Sequence, residues 1–233
     1  MQPEEKRADT AAADAASEQL RQFLYAASHD LQEPLRAIVA YAQLLHRHFV
    51  DDAAAQEYLP FILQGANRMK ELLQNMLVYS RAGCAKNRRP LSLDAPLARA
   101  LLKLSPEIKA ADARIVRHPL PEAVADEGEI ALVFENLLRN SLCFRSTTPP
   151  EIIISAEQGT DEATITLRDN GLGIDPQFCA EALLPFKRLH GKDLSASGLG
   201  LAICEKIIRA HAGRLWLESD GSTGTVAHFT LPL

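Results

Sequence analysis

The chain has 233 residues, of which 47% are hydrophobic and 24% are charged, and its formal net charge is -5. This length allows one large domain or two ordinary ones, and the apolar fraction is enough for a buried core, so disorder of the whole chain is excluded. The acidic balance argues against a general nucleic-acid binder, which normally carries a basic surface.

The first long pattern in the chain is a heptad repeat. Leu24, Leu31, Ile38 and Leu45 recur every seven residues, which predicts a helix with one narrow apolar seam. After a polar break at 50–52, a second series alternates spacings of four and three: Tyr58, Ile62, Gly65, Met69, Leu72, Met76 and Tyr79. Two such helices form an antiparallel hairpin, and two hairpins bury each other's remaining apolar side, so we predict a homodimeric four-helix bundle.

The periodic pattern stops at the basic, Gly- and Pro-containing segment 81–90, which is typical of a linker. We therefore expect a flexible N-terminal segment (1–16), a helical domain (17–82), a linker (83–90) and a second domain (91–233).

The second domain mixes helical and strand periods. Helices are predicted at 95–110, 126–144 and 199–211, and strands at 114–117, 151–156, 163–168, 214–218 and 225–231. This arrangement favours an α/β sandwich with helices over one face of a mixed sheet, so the fold class of the whole chain is α+β.

His29 is the first candidate for chemistry. It lies about 140° around the helix from Leu24, well off the apolar seam, where it can meet a partner from solvent. Asp30 can orient the imidazole or accept its proton, which leaves the other ring nitrogen nucleophilic. Pro34 removes the backbone donor for the Asp30 carbonyl, so we expect the helix to bend there. Taken alone, an exposed histidine on a helix is more often simply part of the surface.

Three further motifs have polar or glycine residues at spacings that suit ligand binding. Asn136 and Asn140 are four residues apart, so they share one helix face and can offer oxygen ligands to Mg²⁺. The segment DNGLGID (169–175) follows a strand and allows close approach of a flat ligand, with Asp169 as acceptor for an exocyclic amine. The segment SGLGLAI (197–203) opens a helix whose N-terminus can bind phosphates. Each motif is weak in isolation.

The order of these motifs resembles the transmitter core of sensor histidine kinases, from about residue 20 to residue 233. FLYAASHDLQEPLRAIVAYAQLL is similar to the phosphoacceptor box and FENLLRNSLCF to the N box. DNGLGID is similar to the first glycine box, LLPFKRLHG to the F box and SGLGLAICEKIIRAHAGRLWLES to the second glycine box. The segments SHDLQEP, PFKRLH and GLAICEKII most resemble those of kinases of the phytochrome type.

This resemblance implies a role for each matching residue. His29 would take the γ-phosphoryl group of ATP with Asp30 as acid/base partner, Asn140 would hold Mg²⁺, and Asp169 would read adenine. The other residues of the implied ATP site are Asn136, Phe144, Gly171, Gly173, Ile174, Arg188, Gly198, Leu199, Gly200, Leu201 and Thr225. A lid would span roughly 188–197.

The resemblance also implies partners. Phosphohistidine would pass its phosphoryl group to an aspartate of a response-regulator receiver. The length suffices for the transmitter and leaves no room for a sensor, so input is expected from an upstream sensor domain or a separate sensor protein. No apolar run approaches the ~18 residues that span a bilayer and the chain start is not a signal peptide, so we expect a cytoplasmic protein. The scattered Cys84, Cys143, Cys179 and Cys204 predict neither a zinc cluster nor a disulfide framework.

Three positions depart from the family pattern. Cys143 stands where the family commonly has Lys, Ala196 where it has Gly, and Glu33 where many relatives have Thr or Asn. The first two motivate an alternative hypothesis: a degenerate dimeric phosphotransfer or docking protein with weak or no autokinase activity. A related ATPase of the gyrase or chaperone type is a third alternative, but it leaves His29 and its hairpin unexplained.

Overall fold

The computed structural model describes residues 31–84, 87–189 and 197–233. The chain divides into two compact units, Met1–Arg81 and Ala82–Leu233. Within the described ranges, no helix is long and apolar enough to cross a bilayer.

The first unit is the predicted helical hairpin. Helix α1 covers residues 31–48 of the described range, with Pro34 inside it, and helix α2 is Ala53–Arg81. The Asp52 carboxylate accepts a hydrogen bond from the Ala55 backbone N–H at 3.0 Å. This is the N-capping interaction that satisfies a free donor at a helix start, and it explains why α2 begins directly after the polar break.

The contacts inside the hairpin are offset from the predicted seams. The buried apolar residues are spaced seven apart on each helix, but they are Leu35 and Ala42 on α1, and Leu59, Ala66 and Leu73 on α2. Each of the α2 residues directly follows a member of the predicted series, a rotation of about 100° around the helix. Leu31, Ile38 and Leu45 are about half-exposed, as are Ile62 and Met69. Most of the predicted seam is therefore a second apolar face, which one hairpin does not cover.

The second unit is an α/β sandwich built on a five-stranded mixed sheet, as predicted. The strands are β2 (Arg114–Arg117), β4 (Glu151–Gln158), β5 (Glu162–Asp169), β6 (Leu215–Glu218) and β7 (Val226–Pro232). Their order is β2-β4-β5-β7-β6, with β2 parallel to β4 and every other pair antiparallel.

Helices α5 (Glu127–Cys143) and α6 (Gly200–Ala210) pack together, and α3 (Asp94–Lys103) packs on α5. Alternate residues of the strands, such as Ile165 on β5 and Phe229 on β7, are fully buried. Phe229 meets Phe134 of α5 edge to face, with 5.6 Å between the ring centroids. The core of this unit therefore lies between the helices and one face of the sheet.

Two features of the second unit differ from the sequence prediction. Strand β1 (Arg89–Ser92) pairs antiparallel with β3 (Glu122–Ala125) in a separate small sheet, and β1 begins inside the predicted linker 83–90. Each strand pairs with a partner about 33 positions away, so the local pattern of residues does not indicate this small sheet. The predicted helix 95–110 is instead α3 followed by α4 (Ser105–Ala110). Pro106 explains this break, because a proline cannot continue the hydrogen-bond ladder of the preceding helix.

The start of the second unit is held on its helices. The Gly83 backbone N–H donates to Glu129 Oε1 at 2.7 Å, and Ala82 is buried. Gly83 has a positive φ of 75°, and a Cβ there would lie 2.8 Å from Cβ of Ala210. His211 accepts from the Asp126 backbone N–H through Nε2 at 3.0 Å, so its Nδ1 donates to the Ile207 carbonyl. The first residues of the second unit are thus attached to its helices at the point where α5 begins and α6 ends.

Candidate nucleotide-binding site

The centre of the candidate site is the Asp169 carboxylate at the end of β5. Oδ1 accepts hydrogen bonds from the backbone N–H groups of Gly171 at 2.9 Å and Thr225 at 3.0 Å. Oδ2 accepts from the hydroxyl of Ser141 on α5 at 2.8 Å. The Asp169 backbone N–H also donates to the Thr225 carbonyl at 2.9 Å. Three segments that are distant in sequence therefore converge on one half-buried acid.

Two glycines allow the backbone to pass this close to Asp169. A Cβ on Gly171 would lie 2.5 Å from the Phe144 carbonyl oxygen and 3.0 Å from Asp169 Oδ1. A Cβ on Gly224 would overlap the Asp169 carbonyl oxygen, and its φ of 106° lies in the region that favours glycine. The Phe144 carbonyl also accepts from the Leu172 N–H at 2.9 Å, which ties the DNGLGID loop to the end of α5.

A second hydroxyl, that of Ser219, joins the loop after β5 to the β6–β7 turn. Its Oγ accepts from the Ile174 N–H at 2.9 Å and donates to the Gly224 carbonyl at 2.6 Å. Gly173, with a φ of 76°, packs against the same turn, since a Cβ there would lie 2.8 Å from the Ser222 nitrogen. Ser219 therefore holds Ile174 and the Gly224–Thr225 backbone in register.

The turn itself is stabilised by Asp220. Its carboxylate accepts hydrogen bonds from the hydroxyl of Thr223 and from the N–H groups of Ser222 and Thr223. These donors lower the pKa of Asp220 well below its usual range, because they stabilise the ionised form. The turn that precedes Thr225 is thus ordered by its own side chains.

The two predicted asparagines lie on α5 in different settings. Asn136 donates from Nδ2 to the Leu132 carbonyl at 2.9 Å, and its Oδ1 lies 3.1 Å from the position that a Cβ on Gly200 would take. A side chain at Gly200 would therefore press on Asn136. Asn140 is half-buried, and within the described part of the chain its side-chain amide has no hydrogen-bond partner. Its oxygen is available to a ligand.

The glycine-rich segment opens α6. Gly198 has a φ of 72°, Leu199 is buried at the N-cap position, and Gly200 is the first helical residue, followed by half-buried Leu201. The Gly198 carbonyl accepts from the Phe186 N–H at 2.8 Å. The free N–H groups at the start of this 11-residue helix, and its dipole, favour a bound anion.

The structure therefore brings most of the predicted site residues into one region. Phe144, Gly171 and Thr225 surround Asp169, Gly173 and Ile174 adjoin the β6–β7 turn, and Asn136 touches the start of α6. Arg188 is exposed, and in the described ranges no hydrogen bond or ion pair joins it to these residues. His29 and Asp30, together with Ala196, lie outside the described residues. Within those ranges, no group of three or more His, Cys, Asp or Glu side chains is arranged to hold a metal.

Sequence reasoning missed Ser141 and Ser219. Both hydroxyls act through contacts 28 and 45 residues away in sequence, to Asp169 and Ile174. The only local signal for Ser141 is its position directly after the second asparagine of the N box.

Cys143, two residues after Ser141, is half-buried, and burial raises the pKa of its thiol against the opposing effect of Arg145. A neutral thiol thus stands where a cation is expected.

Two family models match the chain. The His Kinase A (phospho-acceptor) domain matches residues 19–84. The histidine kinase-, DNA gyrase B-, and HSP90-like ATPase matches residues 125–233.

Curated relatives are similar over nearly the whole chain. Cyanobacterial phytochrome A of Nostoc sp. is 40% identical over 219 residues, which is 92% of this chain and 29% of that protein. Phytochrome-like protein Cph1 of Synechocystis sp. is 34% identical over 218 residues, with the same two shares. The chain thus spans less than a third of the length of these relatives.

Solved structures share the fold. Full-length ShkA in complex with AMPPNP superposes with a TM-score of 0.70 at 22% identity, over 91% of this chain and 45% of that one. Histidine kinase ThkA in complex with response regulator protein TrrA gives a TM-score of 0.63 at 20% identity, over 98% of this chain and 65% of that one. These similarities confirm the predicted α+β fold, a helical hairpin followed by an α/β sandwich with a mixed sheet.

Proposed function

The chain is a histidine kinase transmitter core, since a phosphoacceptor domain and a kinase-type ATPase domain follow one another in it, and on this premise we propose a specific reaction. It transfers the γ-phosphoryl group of Mg-ATP to His29 and then to an aspartate of a response-regulator receiver domain. The parts are a phosphoacceptor and dimerisation domain at 17–82, a linker at 83–90 and a catalytic domain at 91–233.

The observation that carries this proposal is the Asp169 network. A carboxylate whose Oδ1 is held by the Gly171 and Thr225 N–H groups retains acceptor capacity on Oδ2 for an exocyclic amine. Gly171 and Gly224 let two backbone segments pack directly against Asp169, which holds its carboxylate in place for a base. These features fit adenine.

The phosphate end of ATP fits the start of α6. The backbone N–H groups in the first turn of this helix have no partner within the helix, and a helix N-terminus favours negative charge. Asn140 supplies an amide oxygen without a competing hydrogen bond in the described ranges, as a hard cation requires. Asn140 would hold Mg²⁺ with Asn136 beside it, and the bound ion would neutralise phosphate charge.

The phosphoryl step needs a nucleophile and a proton acceptor. A nitrogen of His29 would form a bond to the γ-phosphorus while the bond to the bridging oxygen breaks and ADP leaves. Asp30 would accept the imidazole proton and stabilise the charge on the ring. In-line transfer of this kind depends on positioning and charge neutralisation more than on covalent machinery.

The active form is proposed to be a homodimer. The exposed apolar face of the hairpin, which includes Ile38, Ile62 and Met69, is the surface that a second hairpin would bury. ThkA, a kinase of the same fold, is known in complex with a response regulator protein, which supports a receiver domain as the second partner. Consumption of ATP fits a cytoplasmic location, and input would come from an upstream sensor domain or a separate sensor protein.

The test is incubation of the chain with γ-labelled ATP and Mg²⁺. We expect acid-labile label on the wild type and none on H29Q, because glutamine has no nucleophilic ring nitrogen. His48 is an exposed histidine at the end of α1, so H48Q is the matched control and should label like the wild type. Label that persists on H29Q would show that His29 is not the acceptor. A wild type without label would instead favour the degenerate phosphotransfer protein.

A further inference from the structure

The Asp169 carboxylate has a limited number of acceptor positions. A carboxylate offers about four lone-pair positions, two on each oxygen. Two N–H donors, from Gly171 and Thr225, occupy Oδ1, and the Ser141 hydroxyl occupies one position of Oδ2. One position remains, and it is on Oδ2.

The three donors bind different oxygens of the group. Both backbone donors bind Oδ1, so neither of them contacts the oxygen that is left for a ligand. The Ser141 hydroxyl is the one donor that the described residues place on Oδ2. Its hydrogen bond therefore takes one of the two lone-pair positions of Oδ2 and decides which direction is left for a ligand.

Ser141 is itself firmly placed. It is 4% exposed, on the last turn and a half of α5, so water has little access to replace its hydroxyl. Its Oγ lies 3.3 Å from the Leu137 carbonyl and 2.8 Å from Asp169 Oδ2. A hydroxyl has one proton, and the shorter contact with a carboxylate is the stronger of the two. The Ser141 proton is thus committed to Asp169.

We propose that Ser141 is a positioning residue for base recognition, which orients the Asp169 carboxylate so that its one remaining acceptor meets the 6-amino group of ATP. This inference rests on the proposed function, because it assumes that ATP binds at Asp169. In this proposal, the hydroxyl of a serine on α5 contributes to the selectivity for a 6-aminopurine.

The test compares two nucleotides on each variant of the full chain. One is Mg-ATP, and the other is the Mg complex of purine riboside 5′-triphosphate, which has hydrogen in place of the 6-amino group. Affinities are measured by isothermal titration calorimetry for the wild type, S141A, S141T and the control S155A. Ser155 is a half-buried serine on β4, so S155A makes the same chemical change outside the site.

We expect S141A to lose about tenfold in affinity for ATP, the effect of one charge-assisted hydrogen bond, and less than about twofold for the analogue. S141T keeps the hydroxyl and should preserve the ratio between the two affinities, even if its added methyl changes stability. S155A should leave both affinities unchanged. The ratio is the decisive quantity, because both ligands bind the same variant and a general loss of fold would reduce both affinities together.

An equal loss for both nucleotides in S141A would overturn the positioning role and show that Ser141 is only structural. Unchanged ATP affinity in S141A would overturn it as well. A wild type that binds ATP but does not distinguish it from the analogue would show that Asp169 does not read the amine, while the kinase proposal stands. A wild type that binds neither nucleotide would refute the proposed function itself, and the inference about Ser141 with it.

Discussion

The helical hairpin and the α/β unit bury their apolar residues in contrasting ways. In the described part of the hairpin the buried apolar side chains form one short row, Leu35, Ala42, Leu59, Ala66 and Leu73, while larger side chains such as Phe61 and Met69 remain exposed. In the α/β unit, side chains as large as Phe134 and Phe229 are fully buried between two layers. The α/β unit therefore completes its core within one chain, whereas the hairpin keeps an apolar face for another surface.

This difference matches the roles proposed for the two units. A nucleotide site needs donors held within about 0.5 Å of their binding geometry, and a closed core provides that rigidity to Asp169 and the start of α6. A phosphoacceptor helix must receive a phosphoryl group and then present it to another protein, and a dimeric bundle can keep such a helix exposed. Four variants, each with a matched control, test whether the contrast holds.

The largest effect is expected in the closed core. F134A removes a fully buried ring from its edge contact with Phe229 and should destabilise the α/β unit by about 3–5 kcal/mol, because it leaves a cavity. Unfolding in urea measures the loss. F178A, which removes a partly exposed ring of the same unit, is the control and should cost less than about 1 kcal/mol. Similar losses for the two variants would contradict a core that depends on Phe134.

The next largest effect is expected on the apolar face of the hairpin. Ile62 and Met69 are 50% and 55% exposed, so glutamates in their place stay solvated in a monomer but would be buried charges in a dimer. The double variant I62E/M69E should weaken dimerisation about 100-fold, as expected for loss of interface anchors, while nucleotide affinity is unchanged. Light scattering after gel filtration measures the mass.

The matched control for the dimer interface uses polar positions of the same helix. Gln64 and Asn67 are exposed on α2, and Q64E/N67E adds the same charge outside the apolar face. This control should remain a dimer. If the two double variants dissociate equally, charge rather than the apolar face governs association.

A smaller effect is expected where the closed unit is held most tightly around Asp169. G224A places a Cβ against the Asp169 carbonyl at a positive φ, a strain of about 1–3 kcal/mol, so ATP affinity should fall about tenfold. Calorimetric titration with Mg-ATP measures this. In the same turn, Gly221 also has a positive φ, but its nearest neighbour would be 3.7 Å from the added Cβ, so G221A isolates backbone strain from crowding. Equal affinities in the two variants would argue against crowding at Asp169.

The smallest effect is a gain. Cys143 is one turn after Asn140 on α5, and its neutral thiol stands where the family commonly has a lysine. C143K restores a cation near the proposed phosphate end and should tighten ATP binding about threefold, the size of a partly screened charge interaction. C143A removes the thiol without adding charge and should bind like the wild type. Equal affinity of C143K and C143A would show that a cation at this position does not reach the nucleotide.

Regular elements and motifs were predictable because their signals are local. Helix α2 follows from its heptad series, and α5 and α6 were predicted within one residue of their observed bounds. The strands of the sheet that carry long apolar alternation, β4, β5 and β7, were predicted for the same reason. The family motifs also indicated Asp169, Gly171 and Thr225, although these residues are spread over 57 positions of the chain.

The features that were missed depend on distant partners. The pairing of β1 with β3, the Ser141–Asp169 and Ser219–Ile174 hydrogen bonds and the attachment of Gly83 to Glu129 all join residues from 28 to 46 positions apart. The hairpin also has a feature that depends on distant residues. A heptad repeat predicts an apolar face, but which row lies inside one chain depends on the rotation of each helix against its neighbour.

The sequence by itself thus determined two units, their order, helices α2, α5 and α6, the long strands, and the family motifs that the chain carries. Those properties follow from residue type and spacing, which act over one or two turns of chain. Only the tertiary structure decided which donors orient the Asp169 carboxylate and which apolar row of the hairpin is left uncovered. Both outcomes depend on how whole helices and strands pack against one another. The local pattern of residues therefore indicates neither which apolar row stays uncovered nor which hydroxyl reaches Asp169.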